Sequence, residues 1–143
     1  MDKIIVNKYF ITEILAIISY YELDEIEDLY FRLNNENDIK IIIRYILYVN
    51  YFFKPKEFKI IFKNTLKYFL NVDINYEELY YEEMPSLSLP SKGKNFFIWM
   101  WEVFYENEDY YINHKDIKSY ILTNDRKHLN NNNSQYKITW KTK

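Results

Sequence analysis

Residues 38–53 read DIKIIIRYILYVNYFF. From Ile39 to Phe53 the run is apolar except for Lys40, Arg44 and Asn50. A membrane span needs about 20 such residues, and this one is shorter and carries two charges. It reads instead as a core helix from about Asp38 to Phe53. A helix that is apolar nearly all round is normally surrounded by others. Pro55 then breaks the chain and suits the first turn of a new helix. That helix is expected to reach about Leu70, with Phe58, Ile61, Phe62, Thr65, Leu66 and Phe69 on one face and Lys56, Lys59, Lys63 and Lys67 on the other. Two adjacent helices of this kind point to a mostly α protein.

Upstream, Lys8 to Tyr21 carries Ile11, Ile14, Leu15, Ile18 and Tyr21 at helical spacing, with Glu13 opposite. Glu25 to Leu33 forms a further expected helix, with Asp24 as N-cap and Glu27 completing a capping-box pattern. Downstream, a helix is expected from about Lys94 to Tyr105, with Phe97, Trp101 and Phe104 inward, Ile98 beside them and Trp99 off that face. Another is expected from about His114 to Leu122, with Asn113 as N-cap and Ile117, Tyr120 and Ile121 inward. A turn near Asp125 to Leu129 follows. Residues Gln135 to Thr142 alternate, with Tyr136, Ile138 and Trp140 against Lys137, Thr139 and Lys141, which is a strand pattern. A strand needs a partner, and Leu87 to Leu89 or Lys3 to Val6 are the candidates. The expected architecture is a compact bundle of five to seven helices with a minor β element near the C-terminus. It divides into an N-terminal bundle (1–84), a linker (85–93) that holds Pro85, Pro90 and Gly93, and a C-terminal helical segment with a basic tail (94–143), packed as one domain.

Composition sets limits on chemistry. The 143 residues include 20 Ile, 16 Asn, 16 Lys, 16 Tyr and 10 Phe, against one Ala (Ala16) and one Gly (Gly93). The favoured residues have AT-rich codons, so a biased genome is the simplest cause, and a single Asn, Lys or Tyr is weak functional evidence. With Gly scarce, turns fall to Asn: Asn34-Asn35, Asn71, Asn124 and Asn130 to Asn133. Cys is absent, which excludes disulfides, thiolate zinc sites and cysteine nucleophiles. One glycine excludes glycine-rich phosphate loops and dinucleotide fingerprints. Residues 9–20 are apolar, but Glu13 interrupts them and no small-residue cleavage site follows. An intracellular, cytoplasmic protein is expected.

Four constellations invite a functional reading. Lys56, Lys59, Lys63 and Lys67 line one helix face, either as a ridge for phosphates or an acidic partner, or as an ordinary solvated face. Residues 73–83 hold five acids and no base, interleaved with tyrosines. Tyrosine gives large contact area at low entropic cost, and carboxylates steer a basic partner. Tyr76, Glu77, Glu78, Tyr80, Tyr81, Glu82 and Glu83 are therefore the expected partner-binding residues. Charge is also split along the chain. Residues 1–111 hold 12 Lys/Arg and 19 Asp/Glu, a net of −7, and residues 112–143 hold 7 and 2, a net of +5. The basic tail either folds against the acidic body or meets a nucleic-acid backbone through Arg126, Lys127, His128, Lys137 and Lys141, in a winged-helix-like arrangement of the last elements. Catalysis has the least support. His114 and His128 sit in no nucleophile or metal signature, and Glu102 and Glu106, one turn apart, are a routine helix pair.

The expectation is a small non-enzymatic interaction protein without cofactor or metal. It would bind or mask another protein with a basic surface, in an inhibitor, immunity-type or host-interaction role. The alternative is a nucleic-acid-binding regulator. No membrane association is expected.

Overall fold

The chain enters the fold through an asparagine that does three jobs. In the computed structural model, which describes residues 3–17, 35–81 and 93–123, strand β1 (Ile4–Asn7) runs directly into helix α1 (Lys8–Ala16). Asn7 ends the strand and caps the helix, its side-chain oxygen accepting from the Tyr9 N–H at 3.0 Å. Its own N–H donates to Thr65 Oγ1 at 2.9 Å. Thr65 belongs to α4 (Lys56–Phe69) and passes its hydroxyl proton to the Ile61 carbonyl at 2.6 Å. One buried residue, through its side chain and its backbone N–H, thus ties strand, helix and neighbouring helix together.

The apolar run 38–53 is helical almost throughout, but not uniformly so. It comprises α2 (Glu36–Ile42), a π turn (Ile43–Leu47) and α3 (Tyr48–Phe52) without a break. Asn35 caps it, accepting from the Asn37 N–H at 2.9 Å. In the π turn the Tyr48 N–H donates to the Ile43 carbonyl, five residues back. The sequence shows why. Ile39, Ile43, Leu47 and Tyr51 are all buried, and they recur every four residues. Four residues advance an α-helix by about 400°, so such a series drifts about 40° per step and about 120° over three. The extra residue in the π turn takes most of that drift back and keeps all four on one side.

The rod is not enclosed all round, as its composition suggests. Ile41, Tyr45, Val49, Phe52 and Phe53 are exposed. On its inner side it meets α6 (Gly93–Phe104), where Lys40 reaches Glu36 at 3.0 Å and Glu102 at 3.3 Å. Burial pulls the Lys40 pKa down, but the hydrogen bonds it donates to Glu36 and Glu102, together with their charges, outweigh it, and the net shift is upward.

Pro55 stands just before α4, and Phe58, Phe62, Thr65, Leu66 and Phe69 are buried as the spacing predicts. Ile61 is half-buried. The core is one cluster drawn from α1, the rod, α4, α5 (Tyr76–Tyr81) and α6. Rings dominate it: Phe62 stacks on Phe104 at 5.4 Å, and Tyr51 completes a triangle with them, its centroid 5.0 Å and 4.7 Å away. With Ala so rare, aromatic volume fills the space between helices. α6 starts at Gly93, inside the stretch read as a linker. There a Cβ would stand 3.3 Å from Tyr76 Cβ, so the missing side chain lets α5 and α6 approach. Trp99 is half-buried against the core rather than projecting from it.

The helix expected at 114–122 is not formed. The chain makes a turn, with the Asp116 N–H donating to the Asn113 carbonyl at 2.8 Å, then a single 3₁₀ turn (Ile117–Ser119) and strand β2 (Tyr120–Thr123). β2 pairs in parallel with β1, Ile4 opposite Tyr120 and Asn7 opposite Thr123. Three inward positions within two turns are a weak helical signal, and Tyr-Ile-Leu-Thr favours a pleated, half-buried surface. The available partner at the N-terminus decides it. The minor β element near the C-terminus is therefore at 120–123. The segments 25–33, 87–89, 125–129 and 135–142 lie outside the described residues.

Candidate functional site

The acidic stretch forms α5, and its residues divide by direction. Asn75 opens it, accepting from the Glu78 N–H at 3.0 Å. Tyr76 and Leu79 are buried. Tyr76, expected in the interface, turns inward: its ring packs 5.5 Å from Phe97 and its hydroxyl donates to the Phe69 carbonyl. Burial, helped by the nearby Asp73 charge, pushes its pKa up to about 12. Glu77 and Glu78 are exposed. The side chains of Tyr80 and Tyr81, and Glu82 and Glu83 entirely, lie outside the described residues. What is left of the expected surface is a pair of adjacent carboxylates on one short helix.

Beside that pair lies an open groove of about 210 Å³, lined by Lys8, Phe69, Ile74, Asn75, Glu78, Leu79 and Leu122. Most of its wall is apolar. Lys8 and Glu78 supply its charges, and Leu122 of β2, half exposed, forms part of one wall. The sequence offered no pattern for this groove, because its lining comes from α1, α4, the 74–79 stretch and β2, and Leu122 reaches it only once 120–123 is a strand.

The lysine row has structural partners. Lys63 pairs with Glu108 at 2.7 Å and lies 5.0 Å from the Tyr105 ring. Lys59 lies over the Phe52 and Tyr51 rings at 4.9 Å and 5.7 Å. These contacts favour a solvated face that also covers aromatic edges. Outside the row, Lys54, nearly buried, pairs with Glu13 at 2.9 Å and joins the end of the rod to α1.

The loop after α6 is held by side chains. Asn107 takes a positive φ of 69°, the left-handed conformation that Asn tolerates. Trp101 Nε1 donates to the Glu108 carbonyl at 2.7 Å. Asn71, expected as a turn residue, does more than turn the chain. Its Nδ2 donates to the Lys67 and Tyr110 carbonyls at 2.7 Å, and its Oδ1 accepts from the Ile112 N–H at 3.0 Å.

Beneath this loop Tyr105 donates a 2.9 Å hydrogen bond to Tyr51. Burial raises both pKa values; for Tyr105 the charge Tyr51 would carry and the hydrogen bond to it push the same way, while for Tyr51 the accepted hydrogen bond opposes the rise. A buried phenol held protonated in this way is a packing element.

His114 is exposed, and among the described residues no three His, Asp or Glu side chains are placed to hold a metal. Glu102 is engaged with Lys40 and Glu106 is exposed. Arg126, Lys127, His128, Lys137 and Lys141 lie outside the described residues. The winged-helix arrangement proposed for them loses one element, since 114–122 is a turn and a strand. Among the described residues no helix is long and apolar enough to cross a membrane. No protein-family model, no curated protein and no solved structure matches the chain.

Proposed function

We propose that the protein is a small non-enzymatic binding protein that engages or masks another protein through the groove beside α5. The observation that carries this reading is the pairing of an open apolar groove with an exposed carboxylate in its wall, Glu78, whose exposed chain neighbour Glu77 adds a second negative charge on α5. Apolar walls with a few placed polar groups are the usual composition of a binding site. A partner that inserts an aliphatic or aromatic side chain and sets a Lys or Arg beside it would satisfy both features. The carboxylates would act mainly on the rate of encounter and the apolar wall on the lifetime of the complex.

The test is affinity capture with the full chain from a lysate of the native cell, with and without nuclease. The expected result is a dominant protein partner that survives nuclease, is lost with Leu122→Glu and associates more slowly with Glu77→Gln/Glu78→Gln. Recovery that disappears with nuclease would replace this reading with the nucleic-acid alternative. Capture unaffected by Leu122→Glu would remove the groove from the interface.

A further inference from the structure

Among the described residues, the largest concentration of exposed apolar side chains lies away from the groove, on the outer face of the rod. Tyr45 is 67% exposed, Phe53 63% and Phe52 55%, and Ile41, Val49 and the neighbouring Ile60 are also open. Each aromatic ring is a group of about 150–250 Å², so the three rings alone leave several hundred Å² of apolar surface in one strip. A typical monomer's largest patch is about 300–600 Å² and is often functional.

The strip has direction. Asp38, Ile41, Tyr45, Val49 and Phe52 succeed one another at spacings of 3, 4, 4 and 3 along one side of the helix. The π turn between Ile43 and Leu47 holds this face straight for the same reason it holds the buried one, and such turns are frequent at functional sites. One end is acidic, at Asp38. The other is basic, at Lys56, the first residue of α4 beyond the turn at residues 53–55, and exposed Arg44 flanks Tyr45 along the rod. Neither Asp38 nor Lys56 has an ion-pair partner among the described residues, and both are at least partly exposed. An apolar strip with an acid at one end and a base at the other is complementary to itself when two copies run antiparallel.

We propose that this face is a two-fold interface between two copies of the chain. An antiparallel copy whose two-fold axis passes at the level of Leu47 sets Tyr45 against Val49, and brings the Asp38 end of each copy toward the start of α4, with Lys56, in the other. The helix dipoles also oppose favourably in that orientation. The residue that contacts its counterpart is contacted in return, as a two-fold interface requires. The groove beside α5 is on a different element, so the two bindings are separate.

Sedimentation or light scattering on the full chain across a concentration series tests this. The expected result is a reversible dimer. Tyr45→Glu and Val49→Glu each raise its Kd by about a hundredfold or more, because a carboxylate is buried against apolar side chains, and far-ultraviolet circular dichroism stays unchanged. Asp38→Lys or Lys56→Asp alone weakens the dimer a few-fold, and the double exchange restores it. A monomer at all concentrations overturns the proposal, and so does a dimer indifferent to Tyr45→Glu and Val49→Glu. Failure of the double exchange to restore what either single exchange loses overturns the antiparallel pairing.

Discussion

Two faces of one helical rod, residues 36–52, are built from the same residue types and behave in opposite ways. Ile39, Ile43, Leu47 and Tyr51 are buried, while Ile41, Tyr45, Val49 and Phe52 are in the open. Hydropathy does not separate them. Neighbours do: α6 and the ring cluster of Phe62, Phe104 and Tyr105 cover the first set, whereas the second stays exposed, with Lys59 lying over the Phe52 ring at its end. Burying an aliphatic or aromatic side chain is worth about 1.5–3 kcal/mol. That gain is realised on folding for the first face and remains available for association on the second. The π turn is what allows two straight faces with a four-residue repeat on one rod.

The sharpest way to break this comparison is a carboxylate on each side. Ile43→Asp buries a charge with no partner and is expected to cost several kcal/mol, comparable to a domain's whole stability of about 5–15 kcal/mol. Val49→Asp places the same group in water and should leave the monomer folded. Ile46, only half-buried, should fall between them. Thermal melts followed by circular dichroism rank the three. Equal loss in Ile43→Asp and Val49→Asp would mean that the outer face is covered in solution.

A truncation asks the same question without charge. Leu47→Ala removes a fully buried side chain and should cost about 2–5 kcal/mol, as core Leu→Ala changes do. Ile41→Ala, on the outer face, should stay within about 0.5 kcal/mol in the monomer. Denaturant midpoints measured below the concentration at which copies associate give both values.

High pH should attack the buried core, to which the inner face contributes Tyr51, and spare the outer face. Tyr51, Tyr76 and Tyr105 are all held protonated by burial, Tyr76 to about 12. In the unfolded chain each ionises near pH 10. Between about pH 10 and 12 the unfolded state therefore binds fewer protons than the folded one, and stability falls as pH rises. For Tyr76 the rise to about 12 corresponds to stability on the order of a few kcal/mol, fully present below pH 10 and lost toward pH 12. Tyr51 and Tyr105 add to the loss in the same direction. Tyr76→Phe should flatten the alkaline limb of a stability–pH curve. An unchanged limb would mean that this phenol reaches water.

Much of the inner surface was legible because it rests on local periodicity. The buried side of α4 follows from 3- and 4-residue spacing after Pro55, and α6 from Phe97, Trp101 and Phe104. The outer face was not legible, since Ile, Tyr and Phe are abundant throughout this chain and their presence says little about burial. The strand at 120–123 depends on a partner at the other end of the sequence, which no local window contains. Tyr76 reads as surface because acids follow it, yet Leu79, three residues on, marks the side that turns inward. The groove beside α5 is assembled from separate elements, and only Glu78 in it belonged to the expected site.

The smallest expected effect concerns the side chain that spans the two faces. Lys59 lies over buried Tyr51 and exposed Phe52, so it belongs to both. If its role is to cover these rings, Lys59→Met should keep the stem packing and lose only the cation–π attraction, about 0.5–1 kcal/mol. The loss should persist in high salt more than that of a surface ion pair, because the ammonium sits against ring faces rather than a solvated carboxylate. Lys56→Met, with no ring contact among the described residues, should be neutral for the monomer. If the row served instead as a phosphate-binding ridge, the two substitutions would weaken binding of a polyanion such as heparin about equally and leave stability alone. Melting curves and heparin retention on Lys59→Met and Lys56→Met separate the two roles, and stability loss confined to Lys59→Met is the outcome that the ring geometry requires.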